Sequence, residues 1–431
     1  MIQRKRLSVA IIGSGPSGFF AAEALLAAEP NIEIDIIERL PVPFGLIRFG
    51  VAPDHQVTKK VTETYEAIAQ LSNVQFFGNV EVGVAPDLAD MRNFYDAIVL
   101  ATGAPEDAPL SIPGADLPGV HGCAQFVGWY NGHPDNASLR PNLGIRAAAV
   151  LGMGNVALDV TRVLARSHAE LETTDISEYA LSSLRSSSIT DIYVFGRRSP
   201  LETRFSNVEL REIGGLTEVS RVLNQAQLDA VRHLKDEAPR PQQKNFQVFE
   251  IFAREQRRWA PKKVHFVFNA TPVAVLGQED VKAIRMRHTG SDNSYWDVAC
   301  GMVIGAIGFR GRPLPGVPFD PVRRIVPNDN GRVQDALYAV GWIKRGPSGV
   351  IGTSKPDGTV AAHGILQEFP QGGSKPGRPA FVDFLARRKI DWIGFDGWKR
   401  IDRAERSAAR PGSPRQKLFR VADMLMHAKI E

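Results

Sequence analysis

An α/β fold is predicted for this 431-residue chain by three observations. Glycine-rich turns at Gly13-Ser14-Gly15-Pro16-Ser17-Gly18 and Gly152-Met153-Gly154-Asn155-Val156-Ala157 each follow an apolar, strand-like run and open a helix-like one. A buried-type strand at 95–100 runs into the small residues Ala101-Thr102-Gly103-Ala104, and 303–308 repeats that strand-and-small-turn pattern. One exit after each glycine turn fits two Rossmann-like dinucleotide-binding domains, one inserted within the other. The predicted division is 1–105 for the first part of the outer domain, 106–329 for the insert, and 330–431 for the rest of the outer domain with a C-terminal covering segment.

In the outer domain, residues 7–12 form a short continuous apolar run, as a strand buried on both faces should be, and 19–28 are rich in helix formers. Gly13 suits the tight turn, Gly15 lets the backbone approach a pyrophosphate, and Gly18 lets helix and strand pack closely. Pro16 and Ser17 open the helix, whose free N–H groups suit an anion. A second apolar strand, 32–37, ends in Glu38, about 20 residues past the turn, where a carboxylate can accept from both ribose hydroxyls. Residues 41–55 are too rich in Pro and Gly for regular structure. Such a loop could wrap a flavin ring, with Leu46 packed on it and His55 near the redox centre. An amphipathic helix is predicted over 57–71, then strands over 74–77 and 79–84.

In the inserted domain, the strand 147–151 and helix 156–165 flank the second turn, with Ala157 in place of the third glycine. Gly152, Gly154, Asn155 and Val156 form its phosphate loop. The following strand, 192–195, ends in Gly196-Arg197-Arg198 instead of an acidic residue. A guanidinium pair there suits a 2′-phosphate through bidentate charge-assisted bonds, so NADP(H) is expected over NAD(H). An inserted Ser- and Glu-rich stretch, 168–188, lengthens the spacing to the arginines.

Beyond the insert, a strand at 336–340 leads into the glycine-rich 341–353, and a helix follows from Ser354. Trp342, Gly349, Val350 and Ile351 lie in this turn, where a second helix N-terminus could stabilise negative charge on a reduced ring. The tail carries many basic residues and is expected to cover the fold with a solvated basic face.

A net charge of +5 with basic residues spread along the chain favours an acidic protein partner, with no nucleic-acid module in view. The cysteines, Cys123 and Cys300, show no metal, iron–sulfur or redox-pair spacing. No apolar run is long enough to span a bilayer, and a cytoplasmic protein without a targeting segment is expected.

Taken together, the two turns, residues 41–55, Gly152 to Asp159, Arg197-Arg198 and 341–353 resemble the adrenodoxin reductase type of ferredoxin-NADP+ reductase, within the glutathione-reductase-like flavoprotein superfamily. The resemblance covers nearly the whole chain. It implies FAD at Ser17, Glu38, Leu46, Val80, Trp342 and 349–351, and NADPH at 152–155, Arg197, Arg198 and Glu209, with Gly349 near the nicotinamide. It also implies that His55 and Glu212 lie near the electron-transfer centre, with Asp159 on the helix after the second turn and Glu218 an alternative to the glutamates. The expected reaction is hydride transfer from NADPH to FAD, then single-electron transfer to an acidic ferredoxin or a flavodoxin. Arg204 and Arg211 are expected on the docking face. Rival readings are an NADPH-dependent disulfide reductase, which lacks its cysteine pair, a flavin monooxygenase, and a non-enzymatic NADP(H) sensor.

Overall fold

The computed structural model describes residues 6–255, 259–290 and 294–429. Its first four strands, β1 (Ser8–Ile12), β2 (Glu33–Glu38), β3 (Val74–Gly78) and β4 (Ala97–Leu100), are parallel neighbours in the order β3-β2-β1-β4. Every residue of β1 is buried, which its unbroken apolar run requires in a strand covered on both faces. The chain then leaves through β5 (Glu106–Asp107).

A second six-stranded sheet follows, in the order β6-β14-β7-β8-β10-β9. It comprises β6 (Val120–Gly122), β7 (Ala147–Leu151), β8 (Asp191–Phe195), β9 (Val219–Leu223) and β10 (Lys262–Val267), completed by β14 below. An antiparallel three-stranded sheet of β11 (Ala270–Gly277), β12 (Val281–His288) and β13 (Tyr295–Ala299) interrupts it before β14 (Met302–Gly305) re-enters between β6 and β7. On the way back β15 (Phe309–Arg310) pairs antiparallel with β5, so the outgoing and returning crossings are tied together. Finally β16 (Arg332–Gln334) and β17 (Leu337–Ala339) extend the first sheet, β17 pairing parallel with β4. The first sheet therefore draws strands from both sides of the second, as an insertion demands.

In each sheet the glycine turn follows a central strand at the point where strand order reverses: β1 lies between β2 and β4, β7 between β8 and β14. Ligands of open α/β sheets bind at such points. Among the described residues no helix is long and apolar enough to cross a membrane.

Four expectations are corrected. The helix expected over 57–71 breaks into Gln56–Lys59 and Thr62–Ala69. Lys59 is drawn to Asp175, and the Thr62 hydroxyl donates to the Lys59 carbonyl, competing with helical bonding. Residues 79–84 form no strand, because Asn79 turns the chain at φ 62° and Val80 N–H is spent on the Glu38 carbonyl. The loop 41–55 contains one helical turn, Leu46–Phe49. The tail is not simply solvated: Lys417 and Glu405 are buried, and the helices Arg378–Arg387, Phe395–Ser407 and Val421–Lys429 pack on the first sheet's core.

The stretch 168–188, unassigned from sequence, folds as helices His168–Glu172 and Glu178–Arg185. Ser167 and Glu170 form a capping box at the first, which satisfies two otherwise unpaired N–H groups.

Candidate active site

Both glycine turns are built alike. Gly13 (φ 110°) and Gly152 (φ 144°) adopt conformations that favour glycine, and a Cβ on either would collide with a carbonyl of the crossing chain, Ala101 after β4 or Ala306 after β14. Next come Gly15 and Gly154, the N-caps of helices Pro16–Ala28 and Asn155–Ala165, and beside each the space where a Cβ would stand is open. Open space beside glycine at a helix N-terminus is what a close-approaching pyrophosphate needs, so both cradles fit a dinucleotide.

Around the first cradle, Glu38 Oε2 accepts from Ser14 N–H at 3.2 Å and Ser14 Oγ at 2.7 Å, which fixes the carboxylate at the end of β2. Val80 is buried beside it. Leu46 is 41% exposed at the start of its helical turn. Gly341 presses so closely on Ser17 that a Cβ there would collide with the Ser17 hydroxyl, and its N–H donates to Asp357 at 3.1 Å. Asp357 lies in the first turn of helix Lys355–Glu368, where Lys344 and Arg345 also bind it. Trp342 stacks on Phe309 of β15 with ring centroids 5.7 Å apart, so it lies beside the crossing chain. Gly349 (φ 83°) and Val350 are exposed, and Ile351 begins a short 3-10 turn.

Around the second cradle, Asn155 Oδ1 accepts from Ser206 N–H at 2.8 Å, Val156 is partly buried, and the buried helix face begins at Ala157. Gly196 abuts Met153, which brings Arg197 and Arg198 alongside the phosphate loop. Both arginines are exposed, and among the described residues the Arg198 guanidinium pairs with Glu202 alone, at 3.7 Å. Guanidinium groups this lightly engaged are free to take a phosphate.

The two halves meet where loop 41–55 touches helix Asn207–Gly215. His55 Nε2 lies 2.6 Å from Glu212 Oε2 and 2.7 Å from Arg162 Nη2. That nitrogen can accept from the guanidinium or donate to the carboxylate, so the tautomer of the ring selects between them. Asp159 Oδ1 is 3.9 Å from Nδ1, and Glu209 Oε2 is 3.7 Å from Nε2. His55, Glu209 and Glu212 present ligand atoms within 4.8 Å of one another, and the cation among them is Arg162.

Arg162, fully buried at 0% exposure, organises this cluster. It donates to Asp54 through Nε at 2.6 Å and Nη2 at 3.1 Å, and to Asp159 at 2.7 Å. Its Nη1 reaches Glu209 at 3.3 Å and Glu212 at 3.2 Å. Burial would raise the Asp54 carboxyl, yet the Arg162 hydrogen bonds and charge hold it down at about 2. Asp159 and Glu209 go the other way: burial pushes both up, Glu209 to about 7 with the Asp159 charge adding to the effect.

Sequence reasoning passed over Arg162 and Asp54. The available signal was a charged pair, Asp159 and Arg162, one turn apart inside the mainly apolar run 156–165. Glu218 is not brought in; it is exposed just before β9, its carbonyl facing Lys262 N–H at 3.4 Å. Arg204 and Arg211 are exposed, Arg204 held by its N–H to the Met153 carbonyl.

The profile of the family described as pyridine nucleotide-disulphide oxidoreductase matches residues 7–194. The chain is 38% identical to the NADPH-ferredoxin reductase FprA of Mycobacterium leprae, over 97% of each protein. It is 37% identical to the mitochondrial NADPH:adrenodoxin oxidoreductase of Homo sapiens, over 98% of this chain and 92% of that protein. It superimposes on the structure of Mycobacterium tuberculosis FprA in complex with NADPH with a TM-score of 0.93, at 36% identity, covering 98% of this chain and all of that one. Identity at this level over nearly the whole length places the chain in the family of NADPH-dependent ferredoxin and adrenodoxin reductases.

Proposed function

We propose that this chain is an FAD-dependent ferredoxin-NADP+ reductase, holding FAD in the first cradle, taking NADPH in the second, and delivering electrons to an acidic ferredoxin-type protein. The observation that carries this reading is the pair of like-built glycine cradles, one per sheet, whose surroundings touch through His55 and Glu212. The division at 1–105, 106–329 and 330–431 is part of the same proposal and is supported by strand membership of the two sheets.

The chemistry that bound FAD supplies is conversion of a two-electron hydride into two one-electron transfers. The protein's own task is to bind and orient. Glu38 receives the adenosine ribose, and Gly15 with Ser17 admits the pyrophosphate to the helix N-terminus. Val80 would lie with Glu38 at the adenosine end, and Leu46, Trp342 and the 349–351 turn would enclose the ring. On the other side Arg197 and Arg198 take the 2′-phosphate, while Asn155 and Glu209 position the rest of NADPH. Asp159 and Glu209, raised by burial beside Arg162, His55 and Glu212, hold a proton at the meeting point. Cys123 and Cys300 take no part: both are buried, and burial pushes both thiols up, Cys300 to about 12. Arg204 and Arg211 belong to the docking face for an acidic partner. We place the chain in the cytoplasm on the strength of its two unpaired thiols.

Anaerobic titration of the purified protein with NADPH, and separately with NADH, tests this. The visible flavin spectrum should bleach at far lower NADPH than NADH, and oxidised [2Fe-2S] ferredoxin added afterwards should be reduced. A colourless protein, or one bleached equally by both nucleotides, would remove the reading.

A further inference from the structure

Residues 168–188, which line neither cradle, receive the segment 410–419. Arg410 donates to the carbonyls of Glu172, Thr174 and Ile176 and pairs with Glu178. Ser413 Oγ donates to the Thr174 carbonyl at 2.7 Å, and Phe419 meets Tyr179 edge-on with centroids 4.8 Å apart. Between these contacts Lys417 turns inward, its side chain 1% exposed.

The Lys417 Nζ has three partners: Asp175 Oδ2 at 3.3 Å, Asn131 Oδ1 at 3.2 Å and the Arg48 carbonyl at 3.1 Å. Two of these, Asn131 Oδ1 and the Arg48 carbonyl, accept hydrogen bonds from the ammonium, and Asp175 pairs with its charge. The three come from three parts of the molecule. Asp175 belongs to the 168–188 stretch, Asn131 ends the helix Cys123–Asn131, and Arg48 lies in the loop that carries Leu46 and His55. Lys59 reinforces the join from the far side of His55, bonding Asp175 at 2.6 Å and 2.8 Å. Arg48 itself forks onto buried Glu405, which also accepts from Leu418 N–H at 2.8 Å.

Stability alone is a poor account of this cluster. Arg48 Nε and Asn131 Nδ2 have no acceptor among the described residues, and burial pulls the Lys59 and Lys417 ammoniums down. Buried ionic groups are often no more stabilising than apolar side chains of the same size, and their best-attested use is to fix one geometry. The geometry fixed here is that of loop 41–55 against the nucleotide-binding insert.

We propose that Lys417 is a positioning residue for hydride transfer, pinning the Arg48 carbonyl to Asp175 and Asn131 and so holding Leu46 and His55 in register with Arg162 and Glu212. The stretch 168–188 is then the seat of a C-terminal strap, and the strap sets how the two cradles face each other. Misplacement of reacting groups by about 1 Å can cost about 100-fold in rate while leaving ligand contacts intact.

The proposal rests on the reductase reading, and two readouts separate them. In anaerobic stopped-flow with FAD-loaded enzyme, Lys417→Met should lower the limiting rate of flavin reduction by about 10-fold or more, with the Kd for NADPH unchanged. Hydrogen exchange should rise in 45–56 and 207–215 of the variant, and Asn131→Leu, which removes one acceptor and keeps the ion pair, should shift both readouts less in the same direction. A limiting rate within about twofold of the parent, alongside a lower Tm, would overturn the proposal and leave Lys417 a structural residue. An increased Kd for NADPH at an unchanged limiting rate would also overturn it, since the strap would then shape binding. Should the unaltered chain fail to bleach, the reductase reading falls and the clamp is decided by exchange: unchanged exchange in 45–56 and 207–215 would sink it too.

Discussion

Arg162 faces four carboxylates, those of Asp54, Asp159, Glu209 and Glu212, and Arg166 assists it through Asp54 at 3.0 Å. Burial disfavours the charged form of Asp159 and Glu209, and repulsion from neighbouring carboxylates adds to it, so both are pushed up. A carboxyl raised from 4.5 to about 7 binds a proton in the folded state that it lacks unfolded. Its contribution to stability is therefore complete below pH ~4.5 and is lost as pH rises through ~7. Glu209→Gln should abolish that loss: between pH 5 and pH 8 the parent should lose about 2 kcal/mol more in urea unfolding than the variant. Equal pH dependence of the two proteins would show that the proton resides elsewhere. At this scale the sequence was readable only in part. His55, Glu209 and Glu212 were picked out, but Arg162 was hidden, because a helix position reveals neither its burial nor its partners from distant segments.

The strand–turn–helix unit is the scale at which the glycines act. Gly13 and Gly152 each leave room for a crossing carbonyl, whereas Gly15 and Gly154 leave room for a ligand. Gly13→Ala should therefore strip the visible flavin, and Gly152→Ala should leave the flavin in place and weaken NADPH binding. Each adds a collision and a strained φ, costing about 1–3 kcal/mol locally. Absorbance at the flavin band and NADPH titration of both variants decide this; loss of flavin from Gly152→Ala would show that the cradles are not separate. Elements with strict local signals, β1, β2, β7 and their following helices, were legible from apolar runs and glycine spacing. The break near Lys60 and the turn at Asn79 were not, since Lys59 is pulled by Asp175, 116 residues away, and Asn79 donates to the Asp391 carbonyl, 312 residues away.

Across the whole molecule, polar contacts join the two sheets' surroundings: Asp54 with Arg162, Lys59 with Asp175, and Arg39 with Asp135. Asp54 is held at about 2, below its ordinary 3.8. Its contribution is present above pH ~4 and is lost as pH falls through ~2. Asp54→Asn should cost about 2 kcal/mol at neutral pH and flatten the acid limb of stability between pH 4 and pH 2. Thermal unfolding of both proteins across that range checks it, and an unchanged acid limb would show that Asp54 does not anchor the join.

What the sequence determined by itself was everything local in origin: two α/β units, their glycine turns, the acidic end of β2 and the arginine pair after β8. Those features depend on residues within a few tens of positions, where periodicity and backbone freedom are written directly. Only the tertiary structure decided how the units meet. Arg48 finds Glu405 across 357 residues and Lys417 finds Asn131 across 286, and nothing local records such pairings. Burial gives these charges their consequence, by withdrawing the water that would otherwise have screened them.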